Sequence, residues 1–220
     1  MQSTELPGAE HALVAILRGV ESARVVGIAD ALYQAGWRII EVPLNSPDPY
    51  ASIAALAAGR RPGCIIGAGT VLDAHQVRRT HEAGGTLVVA PNCDAEVIGS
   101  ALQLGMQAMP GFATASEAFT AIRAGARHLK LFPAVTYGPR HLQALRAVLP
   151  AEIALYPVGG IGAPDIPAWL AAGATGFGFG SELFRPDYTL AEIERRARVL
   201  VAAFRQARAH LTGHATEKIT

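Results

Sequence analysis

Apolar residues come along this chain in short, nearly unbroken runs. They are "LVAILR" (13–18), "WRIIEV" (37–42), "CIIGAG" (64–69), "TLVVAP" (86–91), "QAMPG" (107–111), "HLKLF" (128–132), "IALYPVG" (153–159) and "TGFGFG" (175–180). Most do not alternate with polar residues, which is how a parallel strand reads when both of its faces are covered. Between the runs lie stretches such as "ARVVGIADALYQAG" and "EVIGSALQLG", with Ala, Leu, Ile and Val at helical spacing. The pattern predicts strand and helix in regular alternation.

The punctuation agrees. Gly36, Gly84, Gly105, Gly125 and Gly173 each fall between a helical stretch and the next apolar run. That is where a helix turns left-handed to stop, a conformation glycine takes without a Cβ clash. Their spacings of 48, 21, 20 and 48 residues fit a unit of about 20 to 24, two units spanning each long gap. Helix starts are marked by Ser22, Asp73, Asp94, Thr114 and Asp165, and Thr114 with Glu117 makes a capping-box pattern. Eight strands alternating with eight helices predict a single-domain α/β fold over residues 1–220, a (β/α)₈ TIM barrel. Its core spans about 12–210, with a polar tail at 212–220 expected to fray. An open doubly wound sheet would want its glycine-rich phosphate loop after the first strand. Here "LRGVES" stands in that place, and the glycines gather after the seventh and eighth strands.

Composition narrows the field. The chain has 220 residues, 50% hydrophobic and 17% charged, enough for one sizeable core. A net charge of +1 gives no reason to expect nucleic acid or a membrane surface as partner. The Arg195, Arg196, Arg198 cluster reads as a solvated helix face. The opening "MQSTELPGAEHA" does not read as a signal peptide, and no apolar run reaches the roughly 20 residues of a membrane span. A cytoplasmic enzyme is expected. Cys64 and Cys93 form no metal spacing or disulfide framework, and read as buried free thiols. The seven histidines show no ligand spacing; His75 and His81 read as helix surface, His128 as packing.

The charged residues inside apolar runs carry the chemistry. Of 19 Lys and Arg residues only Lys130 and Lys218 are lysines, and Lys130 sits inside "HLKLF". A buried ammonium tends to shed its proton. A neutral amine attacks carbonyls and forms imines, as a guanidinium never does. The plainer reading is a structural ion pair with Glu41, or a lysine snorkelling from the strand end. Glu41 ends "RIIEV" and can shuttle protons, or simply pair with Arg18 or Lys130. Arg18 ends the first run and presents a fork suited to a carboxylate, or forms an ion pair at a barrel rim. Strand parity puts Lys130 on one face with His128 and Phe132, Glu41 with Ile39 and Pro43, and Arg18 with Ile16. "VGGIGAPDIPAWL" and "GFGFGSELF" end the last two runs at Gly159-Gly160 and Gly180-Ser181. Their backbone N–H groups can seat a phosphate at the place where this barrel class usually does. Tight turns use the same residues.

Together these pieces resemble the KDPG/KHG aldolase family, through "AILRG", "IEVPLNSP", "IGAGTVL", "VVAPN", "PGFATASEAFTAIRAGA", "LKLFPA" and "VGGI". The resemblance covers all but the ends of the chain. It implies a class I aldolase in which Lys130 forms the Schiff base and Glu41 is the proton shuttle. Substrate contacts are implied at Arg18, Thr70, Pro91, Phe132, Gly159, Gly160, Gly180 and Ser181. No metal or organic cofactor is implied; the partners are a phosphorylated sugar acid and pyruvate, and the assembly a homotrimer. Gluconate-type members resemble "EVTLR" and carry threonine before Gly-Gly, where this chain has Asn45 and Val158. Those departures point to the branch that cleaves 2-dehydro-3-deoxy-6-phosphogalactonate to pyruvate and glyceraldehyde 3-phosphate. The gluconate epimer and 4-hydroxy-2-oxoglutarate are the alternative substrates, and a non-catalytic sugar-phosphate-binding barrel the alternative from another class.

Overall fold

The computed structural model describes residues 6 and 8–217. In chain order the elements are β1 (Leu13–Ile16), α1 (Ser22–Gln34), β2 (Ile39–Pro43), α2 (Pro49–Ala58), β3 (Ile65–Gly69) and α3 (Ala74–Glu82). There follow β4 (Leu87–Val89), α4 (Ala95–Gln103), β5 (Gln107–Met109), β6 (Gly111–Phe112), α5 (Ala115–Arg123) and β7 (His128–Leu131). The chain closes with α6 (Ala134–Arg146), β8 (Ala154–Pro157), α7 (Ile166–Ala171), β9 (Phe177–Phe179) and α8 (Leu190–Glu217). Short 3₁₀ turns lie at Ala9–His11 and Ala163–Asp165.

Every strand pairing is parallel. One sheet has six strands in the order β5-β4-β3-β2-β1-β9, the other three in the order β6-β7-β8. The two meet at two seams. At the first, the expected fifth strand (107–111) is split into β5 and β6 around Pro110, which has no N–H for the ladder. Its carbonyl still accepts from Lys130 N, at 2.9 Å. At the second, β8 and β9 are joined by one isolated bridge, Val158 to Gly178, and by Thr175 N donating to Leu155 O at 2.8 Å. Where eight regular strands in one ring were expected, the described residues form nine short ones in two sheets: a curled, barrel-like parallel β/α array.

The strands are buried on both sides, and that is why they read as apolar runs. On the outer side Phe177 and Phe179 pack with Phe204 of α8 and with Trp37, whose indole N–H donates to Ala197 O at 3.2 Å. Three helix starts are capped by residues the sequence indicated, whereas Ser22 opens α1 without a side-chain cap. The Asp73 and Asp94 carboxylates accept from first-turn amides, and Thr114 with Glu117 completes a capping box. The Asp165 carboxylate instead accepts from Gly162 N, capping the 3₁₀ turn ahead of α7. Arg195, Arg196 and Arg198 line α8 in ion pairs with Glu192 and Glu194. Cys64 is buried, but Cys93 is only half-buried, because it lies in the loop after β4 rather than in a strand. The stretch from Thr212, expected as frayed tail, continues α8 to Glu217; Lys218 lies outside the described residues.

Candidate active site

The strand registers set the side chains of Ile16, Glu41, Lys130 and Tyr156 on one face. Ile16, Glu41 and Gly67 are successive partners across β1, β2 and β3, while Gly111, Lys130 and Tyr156 are partners across β6, β7 and β8. Partners in parallel strands share a face, and here it is the inner one. Lys130 is 5% exposed and Glu41 1%. Lys130 reaches the floor of a cavity of about 150 Å³, lined also by Ile16, Arg18, Phe132, Val158, Gly178 and Glu182. The last two glycine turns close the same cavity through Gly159, Gly160, Gly180 and Ser181.

No ion pair joins Glu41 to Lys130 or Arg18 among the described residues, and one Glu41 carboxylate oxygen is buried with no hydrogen-bond partner. Burial pushes the Glu41 carboxyl above the usual carboxylate range, against the pull of Lys130 and Arg18. Burial likewise pushes the Lys130 ammonium down; Glu41 draws it back up and Arg18 presses it lower. Both groups are thus held toward their neutral forms. A neutral amine can attack, and a protonated carboxyl can deliver a proton to a leaving hydroxyl. The structural ion pair, the plainer reading of these residues, is not what the geometry shows.

Arg18 stands at the mouth. Its guanidinium donates to Asn45 Oδ1 at 2.6 Å and to Thr70 Oγ1 at 3.4 Å. Thr70 holds this place at φ 57°, left-handed and costly for a β-branched residue, on the order of 1–3 kcal/mol. In the same lining, the N–H groups of Gly160, Gly180 and Ser181 donate to no acceptor among the described residues. Gly159 and Gly160 are left-handed, at φ 100° and 71°. An added Cβ at Gly160 would fall 2.7 Å from Val135, so this turn admits only a bare backbone. The cavity therefore brings a held cation, free backbone N–H donors and the amine into one lining. A small molecule that carries a carboxylate, a phosphate and a carbonyl finds a partner for each group there.

The model of the KDPG and KHG aldolase family matches residues 8–196. The chain belongs to the KDPG and KHG aldolase family. Its relatives include the 2-dehydro-3-deoxy-6-phosphogalactonate aldolase of Escherichia coli, 42% identical over 93% of this chain and 97% of the relative. The 2-dehydro-3-deoxy-phosphogluconate aldolase of Pseudomonas aeruginosa is 33% identical over 86% of this chain and 87% of its own. A solved structure described as "Native KDPGal structure" superposes with a TM-score of 0.89 at 41% identity, covering 95% of this chain and 100% of that one.

In this aldolase the expected site residues gather unequally. Lys130, Arg18, Phe132, Val158, Gly159, Gly160, Gly180 and Ser181 line one cavity. Glu41 lies buried beneath it, and Asn45 and Thr70 reach it through Arg18. Pro91 lies outside the lining, where its carbonyl leaves no room for a Cβ on Gly111. The Phe132 ring lies 4.9 Å from Lys130 Nζ, and the Phe132–Pro133 peptide is cis. Strand parity held for Ile16 and Arg18 and for Lys130 and Phe132, which share the cavity. Ile16, Ile161, Gly178 and Glu182 also line it but were not singled out in the sequence. Gly178 had a legible signal, alternation within "GFGFG"; Glu182 had none. Among the described residues no group of three or more His, Cys, Asp or Glu side chains is arranged to hold a metal ion. Among those residues no helix is long and apolar enough to cross a membrane.

Proposed function

We propose that this aldolase is a class I enzyme, with Lys130 as its Schiff-base lysine and Glu41 as its proton shuttle. Its substrate is 2-dehydro-3-deoxy-6-phosphogalactonate, the sugar acid in the name of the Escherichia coli relative at 42% identity. The observation that carries the chemistry is the pairing of a buried amine with a buried carboxyl, unbridged and both pushed toward neutrality.

The substrate's carboxylate rests against Arg18, which Asn45 and Thr70 hold, and its phosphate against the N–H groups around Gly159, Gly160, Gly180 and Ser181. Lys130 Nζ adds to the C2 carbonyl to give a carbinolamine. Glu41 gives a proton to the departing hydroxyl, and water leaves the protonated imine. Glu41, now a carboxylate, takes the proton of the C4 hydroxyl as the C3–C4 bond breaks. The bonding pair passes into the imine to form an enamine, and glyceraldehyde 3-phosphate departs. Glu41 returns a proton to C3, and water releases pyruvate. The apolar wall at Val158 offers no hydroxyl to bond the C4 oxygen, and that favours one C4 epimer over the other. The fold is read as a (β/α)₈ barrel closed at the Pro110 and Val158–Gly178 seams, and the enzyme as a cytoplasmic homotrimer. Exposed Val135 and Tyr137 beside the mouth support a larger assembly.

Pyruvate plus borohydride tests the imine directly. The expected result is a stable mass increase on the peptide holding Lys130, absent in Lys130→Met; label confined to Lys218 or the amino terminus would refute it. Kinetics on the two phosphorylated C4 epimers test the substrate. A higher kcat/KM for the galactonate form is expected, and equality would remove the claimed preference.

A further inference from the structure

Four glycines in the strands or next to them would bring a Cβ within about 2.5 Å of a neighbouring atom, but for different reasons. An ideal Cβ would fall 1.9 Å from Leu87 O at Gly67, 2.1 Å from Pro91 O at Gly111 and 1.9 Å from Ala12 O at Gly176. In those three the obstacle is backbone, and the glycine serves strand approach. Gly69, the last residue of β3, differs. Its three nearest neighbours would be the Glu41 carboxylate atoms, Oε2 at 2.4 Å, Cδ at 2.6 Å and Oε1 at 2.9 Å. Its φ is not left-handed, it pairs with Pro43, and its carbonyl accepts from Leu44 N at 2.8 Å. Its own backbone conformation does not call for glycine, and none of the three nearest neighbours is a backbone atom. The empty space is filled by the end of one side chain from the adjacent strand.

From this geometry we infer that Gly69 is a positioning residue for the aldolase reaction. Its missing side chain leaves the slot in which the Glu41 carboxyl is held toward Lys130. This rests on the reading of Glu41 as proton shuttle. Glu41 is 1% exposed and one of its oxygens has no hydrogen-bond partner. Packing, rather than a hydrogen bond, therefore fixes that end of the side chain. A methyl group at position 69 would not break the sheet. The carboxyl is the terminal, rotatable part of its side chain, so it would swing aside and leave the amine without its acid and base.

The test separates the amine from the carboxyl. Trapping of pyruvate by borohydride, taken to completion, reads Lys130; exchange of the pyruvate methyl protons with deuterated solvent reads the proton shuttle. Gly69→Ala is expected to keep its trapping yield within about twofold of the parent and its melting temperature close to it. Its exchange should fall at least tenfold, within the roughly 10²–10⁴-fold that general acid–base groups supply. Glu41→Gln/Gly69→Ala should exchange no more slowly than Glu41→Gln alone, because the methyl group acts only through the carboxyl. Exchange within threefold of the parent, or a further tenfold loss in the double variant, would overturn the inference. Should Gly69→Ala fail to fold, Glu41→Ala/Gly69→Ala decides. Folding restored by removing the carboxyl supports the slot, and continued failure to fold gives Gly69 to the backbone instead. No adduct in the parent protein would overturn the Schiff-base reading itself, and the inference with it.

Discussion

At the residue scale the inner face of β7 carries two titratable groups, Lys130 and His128, and burial drives both toward their neutral forms. The proposed mechanism uses the first and not the second. The His128 ring packs at a tilt against Tyr156, its centroid 6.0 Å away, and Nδ1 is buried without a partner. Desolvation holds its pKa down at about 4. A histidine depressed in the folded state binds its proton more readily when unfolded, so stability must fall as pH drops from about 6.5 toward 4. The loss from this group is on the order of 2–3 kcal/mol. Glu41 has the opposite sign. Its raised pKa means the folded form holds a proton that the unfolded form gives up, so acidification through that window favours folding. The raw pH profile mixes the two, and the difference between variant and parent isolates His128. His128→Leu should lose less stability than the parent between pH 7 and pH 4.5 in urea titrations, by about 2 kcal/mol. Parallel profiles would show that His128 does not titrate in this window.

At the element scale the alternation of strand and helix was legible because each strand is covered on both faces and each helix on one. The places where it misled have local causes. Pro110 looks, in "QAMPG", like the interior of one strand, yet a residue without an N–H leaves a gap in the ladder and the pairing changes sides there. The five glycines expected to close helices all have left-handed φ. The two gaps between them hide helices closed otherwise. α2 ends at Gly59 with φ −95°, and α6 ends through Ala147 in right-handed geometry. Nor does a one-dimensional pattern show that α6 breaks at Gly138, with φ 74°, where Pro139 follows. For the site, burial and charge in the sequence pointed to Lys130, Glu41 and Arg18. Gly69 stayed silent because its reason lies on the neighbouring strand. The capping box on α5 was readable in full: the Thr114 hydroxyl accepts from Glu117 N at 3.3 Å, and Glu117 accepts from Thr114 N at 2.9 Å. Thr114→Ala should therefore cost about 1 kcal/mol in chemical denaturation while leaving kcat unchanged. A loss below about 0.3 kcal/mol would mean that Glu117 alone satisfies the turn, through Ala113 N and Thr114 N.

At the scale of the whole molecule, the amine and its partners come from different sheets. Lys130 belongs to the three-stranded sheet; Glu41, and Arg18 just beyond β1, belong to the six-stranded one. The two sheets join at the Pro110 turn, at the Val158–Gly178 bridge and through the Thr175–Leu155 hydrogen bond, sparse connections beside the full ladders within each sheet. On the imine reading, bound pyruvate spans the division, with its keto carbon on Lys130 and its carboxylate against Arg18. A ligand that binds only the folded state adds about 2.7 kcal/mol at one hundred times its Kd. A chain of this length gains roughly 2–4 °C per kcal/mol, so saturating pyruvate should raise the melting temperature by roughly 5–10 °C. Lys130→Met leaves the Arg18 contact and removes the covalent one, so its shift should shrink to about 1 °C or less. Amide exchange locates the effect. Protection should rise at Lys130 N, which donates to Pro110 O, and at Thr175 N, which donates to Leu155 O. Amides within β2 and β3, already in a complete ladder, should change little. Were the shift equally large in Lys130→Met, or the added protection uniform over both sheets, pyruvate would not be joining them through that lysine.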